Sequence, residues 1–384
     1  MDVQLNEEHG LLQATLQRLL NDRYSFDLRR KIVADEAGYS LELWNAFAEL
    51  GLLSAPFSEE FGGLGNSPIT AMVVMQEFGR RLVIEPYFET VILAGGLIDR
   101  TGTPTQKIEH LSNIGSGATR WTLAWAERGA RYDIHNVATH ARRLGDEYII
   151  TGSKIAATAA PWADKLIVSA RTSGWRTAAD GISLFIVDRR SPNLHLRSFR
   201  TIDGRDAAEL SLEGVKVPAS DLLGADGSGG DALATCRDLA VGALCAEAVG
   251  IMSELNAATL EYAKARKQFG VAIGSFQALQ HRMVDMFIAH QEALSLMQHL
   301  NVSLARKDPT VSRLASGAKS KIGYAARFVG EQSIQLHGGM GMSDELAIGH
   351  YFKRIAAIDI QFGDPAFHLA RFSNLDRHDA TVAI

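Results

Sequence analysis

A long helical pattern without proline constrains this chain of 384 residues more than any other feature. Residues 231–269 carry apolar side chains at helical spacing, and one helix over them would be roughly 58 Å long at 1.5 Å per residue. A helix of that length needs partners to cover its apolar face. Residues 276–307 and 312–337 repeat the pattern and a shorter fourth segment follows, which predicts an antiparallel helical bundle over residues 228–384.

The rest of the chain divides into a part with helical spacing of its apolar residues and a part with short apolar runs. Residues 1–117 contain segments with apolar residues three and four apart, which predicts an N-terminal helical domain. Residues 118–227 instead contain short apolar runs bounded by turn residues, such as EYIITGSK and GISLFIVD. No helical pattern lies between these runs to serve as a crossover, so they predict an antiparallel β-domain. The predicted fold class is α+β, with a helical domain, a β-domain and a helical bundle.

Composition excludes several classes of function. The formal net charge is −5 and no sustained Lys/Arg block occurs, so nucleic acid is not an expected partner. No apolar run approaches the roughly 18 residues that span a bilayer, and the N-terminus has no apolar signal core, so we expect a cytoplasmic protein. Cys236 and Cys245 fall on opposite faces of the long helix, which predicts buried thiols rather than a disulfide. No Cys/His cluster has zinc spacing, so no metal site is expected.

Two motifs in the helical region carry most of the functional information. They read Arg-Lys-Gln-Phe-Gly at 266–270 and Gln-Leu-His-Gly-Gly-Met-Gly at 335–341. Arg266, near a helix end, could bind a diphosphate or could simply face the helix dipole. Phe269 could form an apolar wall for adenine or pack in the core. The paired glycines of the second motif could cap a helix, let a cofactor approach the backbone, or do both.

These motifs, in this domain order, resemble the acyl-CoA dehydrogenases over essentially the whole chain. The resemblance implies that family's fold, whose middle domain is an antiparallel β-barrel, together with FAD and a tetrameric assembly. It also implies α,β-desaturation of an acyl-CoA thioester, with hydride transfer to flavin N5 and with electron-transfer flavoprotein or a similar acceptor. The cofactor-binding residues that it implies are Arg266, Gln268, Phe269, Gln277, Gln335, Gly338, Gly339, Thr158 and Glu127. In the family, the helical motifs reach an FAD held mainly by a neighbouring subunit.

The segments that hold the flavin ring in the family are altered in this sequence. A Thr-Glu-Pro-x-x-Gly-Ser-Asp-like pattern corresponds to residues 126–133, where the two hydroxyl positions have become Ala126 and Tyr132. A Lys-x-Trp-x-Thr-Asn-like pattern corresponds to residues 154–159, where the tryptophan has become Ala156. The chain's own flavin cradle is therefore expected to be weakened.

The catalytic glutamate of the family is absent from both positions where the resemblance would put it. One position falls on Gly363 and the other on Ala240. Asp364 is the candidate base, but it has three open interpretations: a displaced base, a turn residue before proline, or a ligand for the substrate or a partner. Glu247 shares a helix face with Ala240, but it lies about 10 Å further along the axis, too far to reach the same proton.

Some acyl-CoA dehydrogenases are α2β2 heterotetramers in which only one type of subunit keeps the glutamate. The sequence resembles the other type, and in particular the chains called pimeloyl-CoA dehydrogenase small subunit, through residues 130–133 and 349–354. We therefore expect a small subunit completed by a homologue that supplies the glutamate. The alternatives are a self-sufficient homotetramer that uses Asp364, a non-catalytic scaffold subunit, and a flavin oxidase or monooxygenase of the same fold. His281 and His337, inside the two motif regions, are expected to be packing residues.

Overall fold

The computed structural model describes residues 6–65 and 68–382, which divide into two compact units. The helical unit comprises residues 6–30, 68–83 and 241–382, and the mixed unit comprises residues 31–65 and 84–240. The division of the sequence into domains 1–117, 118–227 and 228–384 stays a prediction. Among the described residues, no helix is both long and apolar enough to cross a membrane.

Helices form in the ranges where the hydrophobic period predicts them, but a fully buried helix gives no such signal. A π-helix at Phe88–Gly95 is buried along its whole length, so it shows no alternation of polar and apolar faces. The predicted long helices correspond to Gly229–Ala265, Gln277–Ala305 and Val311–His337, and the shorter fourth corresponds to Ala347–Ile360. The α-helices are α1 (Glu7–Arg23), α2 (Phe26–Ala34), α3 (Leu41–Glu49), α4 (Pro68–Arg81), α5 (Gly96–Thr101), α6 (Pro104–Gly115), α7 (Gly229–Ala265), α8 (Gln277–Ala305), α9 (Val311–His337), α10 (Ala347–Ile360) and α11 (Pro365–Val382).

An eight-stranded sheet forms the centre of the mixed unit, with the order β6-β7-β3-β2-β4-β5-β8 and with β1 paired to β4. Apolar side chains from β1 to β7 point into one shared core. A separate two-stranded ribbon is made by β9 and β10. The strands are β1 (Trp121–Ala124), β2 (His140–Leu144), β3 (Glu147–Thr158), β4 (Lys165–Arg171), β5 (Ile182–Asp188), β6 (Leu194–Arg200), β7 (Asp206–Pro218), β8 (Leu222–Leu223), β9 (Lys267–Gln268) and β10 (Val271–Ala272).

The pairing of the strands corrects one part of the sequence prediction. Most neighbours in the sheet are antiparallel, as predicted, but β1 runs parallel to β4 and β2 meets β4 in parallel at His140 and Arg171. The β2–β3 hairpin lies between β1 and β4 in the chain, and it returns the chain to the end of the sheet where β1 begins. The connection between the parallel strands β1 and β4 is therefore this hairpin and not a helix.

Two glycines allow helices α4 and α7 to touch at their backbones. A Cβ on Gly79 would lie 2.1 Å from the carbonyl oxygen of Glu247, and a Cβ on Gly250 would lie 2.0 Å from that of Gln76. The Glu247 carboxylate is buried and accepts two hydrogen bonds from Arg354 of α10, each at 2.6 Å. This ion pair fixes α10 against α7 in the helical unit.

Both cysteines are free and buried, as predicted. Burial raises the pKa of each thiol to about 12, so neither is a reactive thiolate at neutral pH.

Candidate cofactor site

The first motif forms a tight hairpin directly after α7. Strands β9 and β10 pair in register, and Phe269 and Gly270 form the turn between them with φ of 54° and 81°. Positive φ at both central residues is the signature of a type I′ turn, which suits a two-residue hairpin. The amide of Ile273 donates to the carbonyl of Arg266 at 2.8 Å and closes the hairpin base.

The hairpin presents its side chains to solvent. Phe269 is 92% exposed and meets the ring of Phe276 edge-on, with 6.3 Å between the ring centroids. A left-handed backbone at a bulky residue costs about 1 kcal/mol or more, and an exposed ring gains little in return. Arg266, Gln268 and Gln277 are exposed as well. Phe269 thus combines a strained backbone with an exposed ring, and exposed polar side chains lie beside it.

The second motif ends α9 and turns into a short 3₁₀ helix, Gly338–Met342. Gly338 has φ of 59°, and its amide donates to the carbonyl of Gln335, so it acts as the helix C-cap. Open space surrounds the positions that a Cβ would take on Gly338 and on Gly339, and Gln335 is exposed. A helix cap and an open backbone surface therefore occur together at this turn.

A contact in the helical unit joins the ends of α7 and α9. The rings of Tyr262 and His337 stack with centroids 4.3 Å apart and an interplanar angle of 28°. His337 is buried, and its Nδ1 lies 2.8 Å from the carbonyl of Ser333, so Nδ1 carries the proton and donates it there. Burial lowers the pKa of His337. His337 thus packs as predicted, and the stack brings the two motifs together.

The residues of the altered flavin segments lie in the mixed unit, around a buried ion pair. Glu127 accepts hydrogen bonds from Lys154 Nζ at 2.7 Å and from the amides of Ala138 and Thr139 at 2.6 and 3.1 Å. Burial acts to raise the pKa of Glu127, but Lys154 and these amides outweigh it, so the pKa lies below its ordinary value. The Glu127 carboxylate is thus fully engaged inside the protein.

The same two segments keep a hydrogen-bonded framework, and a small side chain stands at one altered position. The amide of Ile155 donates to the carbonyl of Ala126 at 2.8 Å, so the segments remain joined. The Thr158 carbonyl accepts the Thr122 hydroxyl at 2.6 Å. Ala156 is exposed, with φ of 50°, at the position of the family tryptophan. A methyl group there offers little surface to a flavin.

The turn between α10 and α11 leaves no room for a glutamate at position 363. Gly363 has φ of 121°, and a Cβ there would lie 2.5 Å from Phe367 Cδ1 and 2.7 Å from Nε2 of the buried His368. Asp364 is the N-cap of α11, because its Oδ1 accepts the amide of Phe367 at 2.8 Å. This geometry favours the turn interpretation of Asp364.

A buried lysine, Lys319, donates hydrogen bonds to the backbone of this turn, and its role was not predicted from the sequence. Lys319 Nζ donates to the carbonyls of Ile358, Asp359 and Gly363 at 2.8, 3.0 and 3.0 Å. In the sequence, a buried lysine of an amphipathic helix cannot be told from a lysine that faces solvent, so nothing there indicates this role. The second family position for the base, Ala240, is itself buried, and Glu247 is engaged with Arg354.

A cavity of about 560 Å³ in the mixed unit also escaped the sequence analysis. Four arginines and a histidine line it, together with Tyr148, Asp226 and the loop after β4. These five side chains come from two sequence segments, so their convergence shows only in the fold. They are His140, Arg142, Arg143, Arg171 and Arg176. Within the described residues, no group of His, Cys, Asp or Glu could hold a metal ion.

Comparison with known proteins decides the family. Residues 6–118, 122–215 and 232–372 match the profiles described as acyl-CoA dehydrogenase N-terminal, middle and C-terminal domains. The probable acyl-CoA dehydrogenase YngJ of Bacillus subtilis is 32% identical over 336 residues, which are 86% of this chain and 88% of YngJ. The chain belongs to the acyl-CoA dehydrogenase family. The predicted family and the predicted fold class are both confirmed.

Other acyl-CoA dehydrogenase relatives agree over nearly the whole length. The butyryl-CoA dehydrogenase structure of Megasphaera elsdenii has 25% identity and a TM-score of 0.89, and covers 98% of this chain and 99% of its own. The steroid ACAD structure described as Tcur3481–Tcur3483 has 28% identity, a TM-score of 0.88 and the same coverage. Subunit CarC of the caffeyl-CoA reductase–Etf complex of Acetobacterium woodii is 27% identical, over 91% of this chain and 93% of CarC.

Acyl-CoA dehydrogenases are oxidoreductases that act on CH–CH bonds with FAD, and this chain is one of them. Its residues fit FAD unevenly. The exposed, strained Phe269 and the open backbone at Gly338 suit a cofactor that arrives from outside the chain. The mixed unit instead offers Ala156 and a carboxylate already engaged by Lys154.

Proposed function

We propose that this acyl-CoA dehydrogenase works as the small subunit of a heterotetramer, together with a homologue that supplies the catalytic glutamate. The reaction would be α,β-desaturation of an acyl-CoA. A carboxylate of the homologue would take the proton from Cα, and bound FAD would supply the acceptor for the hydride from Cβ, so that the substrate loses two electrons as a C=C bond forms. Electron-transfer flavoprotein or a similar acceptor would reoxidise the flavin.

The conformation of Gly363 carries this proposal. A glutamate at this position would need a Cβ within 3 Å of Phe367 and His368, at a φ that side chains rarely adopt. The two carboxylates weighed as alternatives are already engaged, because Asp364 caps α11 and Glu247 pairs with Arg354. A chain without a placed base needs one from another chain in order to remove the α proton.

The exposed motifs support a cofactor site completed between subunits. Arg266, Gln268, Phe269 and Gln277 lie on and beside the hairpin, and Gln335, Gly338 and Gly339 lie at the end of α9. In the proposed assembly these residues contact the FAD of an adjoining subunit. Arg266 would neutralise its diphosphate. Glu127 and Thr158 would contribute indirectly, by ordering the chain's own flavin segments around Lys154.

The names of relatives are consistent with such assemblies. CarC is named as a subunit of a complex with Etf, and the steroid ACAD is described by two components. The resemblance to pimeloyl-CoA dehydrogenase small subunits points the same way. The substrate class is supported by the arginine-lined cavity of the mixed unit, because its positive charge is complementary to the negative phosphate groups of a CoA ester.

Co-expression tests the proposal. We expect the purified chain alone to hold well under one FAD per chain and to show no acyl-CoA-dependent reduction of an electron acceptor. Co-expression with a homologue that retains the glutamate should yield a stable complex with both FAD and turnover. As the matched control, glutamate-to-glutamine substitution in the homologue should abolish turnover and leave FAD bound. Full FAD occupancy with turnover by this chain alone would overturn the proposal.

A further inference from the structure

The two halves of the exposed FAD motif meet through one aromatic pair. Tyr262 lies in the last turn of α7, just before the hairpin, and His337 is the last residue of α9, just before the glycine turn. Their rings stack at 4.3 Å, and the Tyr262 hydroxyl donates to the His337 carbonyl at 3.4 Å. The hydroxyl bond is long, so the stack is the main contact.

Each ring is tied in turn to the segment that it would place. The Tyr262 carbonyl accepts the amide of Arg266 at 2.8 Å, which connects Tyr262 directly to the hairpin. On the other side, Nδ1 of His337 donates to the carbonyl of Ser333, so the imidazole has one tautomer and one orientation. The 3₁₀ turn folds closely over this ring, because a Cβ on Gly341 would lie 3.1 Å from the Cβ of His337.

We propose that Tyr262 is a positioning residue for FAD, which sets the hairpin and the glycine turn at the spacing that one cofactor molecule requires. The inference rests on the proposed function, in which both segments contact the same FAD. A ligand that touches two segments binds more weakly when it must also order them, and a rigid contact between the segments removes that loss. Neither ring needs to touch FAD for this effect.

Substitution of Tyr262 in the FAD-loaded assembly tests the role. Tyr262→Leu keeps an apolar side chain but removes the stack, and should raise the Kd for FAD about three- to tenfold, the range that aromatic pairs contribute. Tyr262→Phe keeps the stack and should stay within about twofold of the parent, because only a long hydrogen bond is lost. The Kd is measured by titrating FAD into the deflavinated assembly and following flavin fluorescence.

Two further substitutions separate positioning from packing. His337→Leu removes the stack from the α9 side and should raise the Kd as much as Tyr262→Leu. The double substitution should add little, because both changes break the same contact. As a control, Glu261→Ala breaks only an exposed ion pair with Lys264 in the same helical turn and should leave the Kd unchanged. Additive effects of the two leucine substitutions would overturn the inference, as would an equal effect of Glu261→Ala.

Thermal unfolding of the FAD-free assembly reports packing alone. If Tyr262→Leu lowers the midpoint but leaves the Kd for FAD unchanged, the pair only packs α7 against α9 and the inference fails. Arg266→Ala distinguishes that failure from a failure of the proposed function. Loss of FAD affinity in Arg266→Ala with none in Tyr262→Leu removes only the inference, whereas unchanged affinity in Arg266→Ala removes both.

Discussion

Single residues show what this fold places at the position of the family glutamate. At the α10–α11 turn, Gly363 adopts a conformation that favours glycine, and the next residue uses its carboxylate to cap a helix. The position of the family glutamate can be read from the sequence, but the hydrogen bond that engages the Asp364 carboxylate cannot. That bond depends on where α11 begins, because Asp364 directly precedes the helix.

Substitution of Asp364 should separate capping from catalysis. Asn retains an oxygen that can accept the Phe367 amide, so Asp364→Asn should leave both stability and the turnover of the co-expressed assembly within about twofold. Asp364→Ala loses the cap and should lower the free energy of unfolding by about 1 kcal/mol, with turnover again retained. Turnover is measured from acyl-CoA-dependent reduction of an electron acceptor. A loss of activity in Asp364→Asn without loss of folding would instead identify Asp364 as a displaced base.

At the scale of elements, hydrophobic periodicity predicts the helices and strands, but it does not predict the pairings and turns that depend on tertiary contacts. The long helices α7, α8 and α9 follow from apolar spacing alone, and so do the short strands of the sheet. The parallel pairing of β1 with β4 depends on how the β2–β3 hairpin folds back, which no local pattern encodes. The motif at 266–270 is visible in the sequence, but its strained turn and the exposure of Phe269 follow only from the paired strands β9 and β10.

The contact between α4 and α7 gives a prediction at this scale. Gly79→Ala would place a Cβ 2.1 Å from the carbonyl oxygen of Glu247. That oxygen is part of the α7 backbone, which cannot move away without disturbing the ion pair between Glu247 and Arg354. We expect the free energy of unfolding to fall by about 3 kcal/mol, as for severe overpacking. Gly10→Ala in α1 is the matched control, because nothing lies within 4 Å of its Cβ position.

Denaturant unfolding of the two alanine variants should therefore give opposite results. Gly10→Ala should be neutral or stabilising by about 0.5–1 kcal/mol, since alanine favours the helix. If Gly79→Ala is as stable as the parent, α4 and α7 do not approach each other as closely as the structure describes.

At the scale of the whole molecule, the described part of each compact unit buries one lysine, and the two ammonium groups have different hydrogen-bond partners. Lys154 in the mixed unit faces the Glu127 carboxylate at 2.7 Å. Lys319 in the helical unit donates to three backbone carbonyls near the α10–α11 turn. Burial lowers the pKa of each from 10.5 to about 8. Both amines therefore lose their proton in the native protein at a lower pH than in the unfolded chain.

This difference predicts the direction of the pH dependence of stability. Between pH 8 and 10.5 the unfolded chain binds more protons than the native state at these two sites, so their contribution to the free energy of unfolding rises with pH and is lost as pH falls through 8. Lys319→Met removes one of these sites. From pH 7 to 9.5, the parent should therefore gain about 2 kcal/mol more stability than Lys319→Met. The measurement is denaturant unfolding of both proteins at the two pH values, and an equal change in both would show that Lys319 keeps its proton throughout.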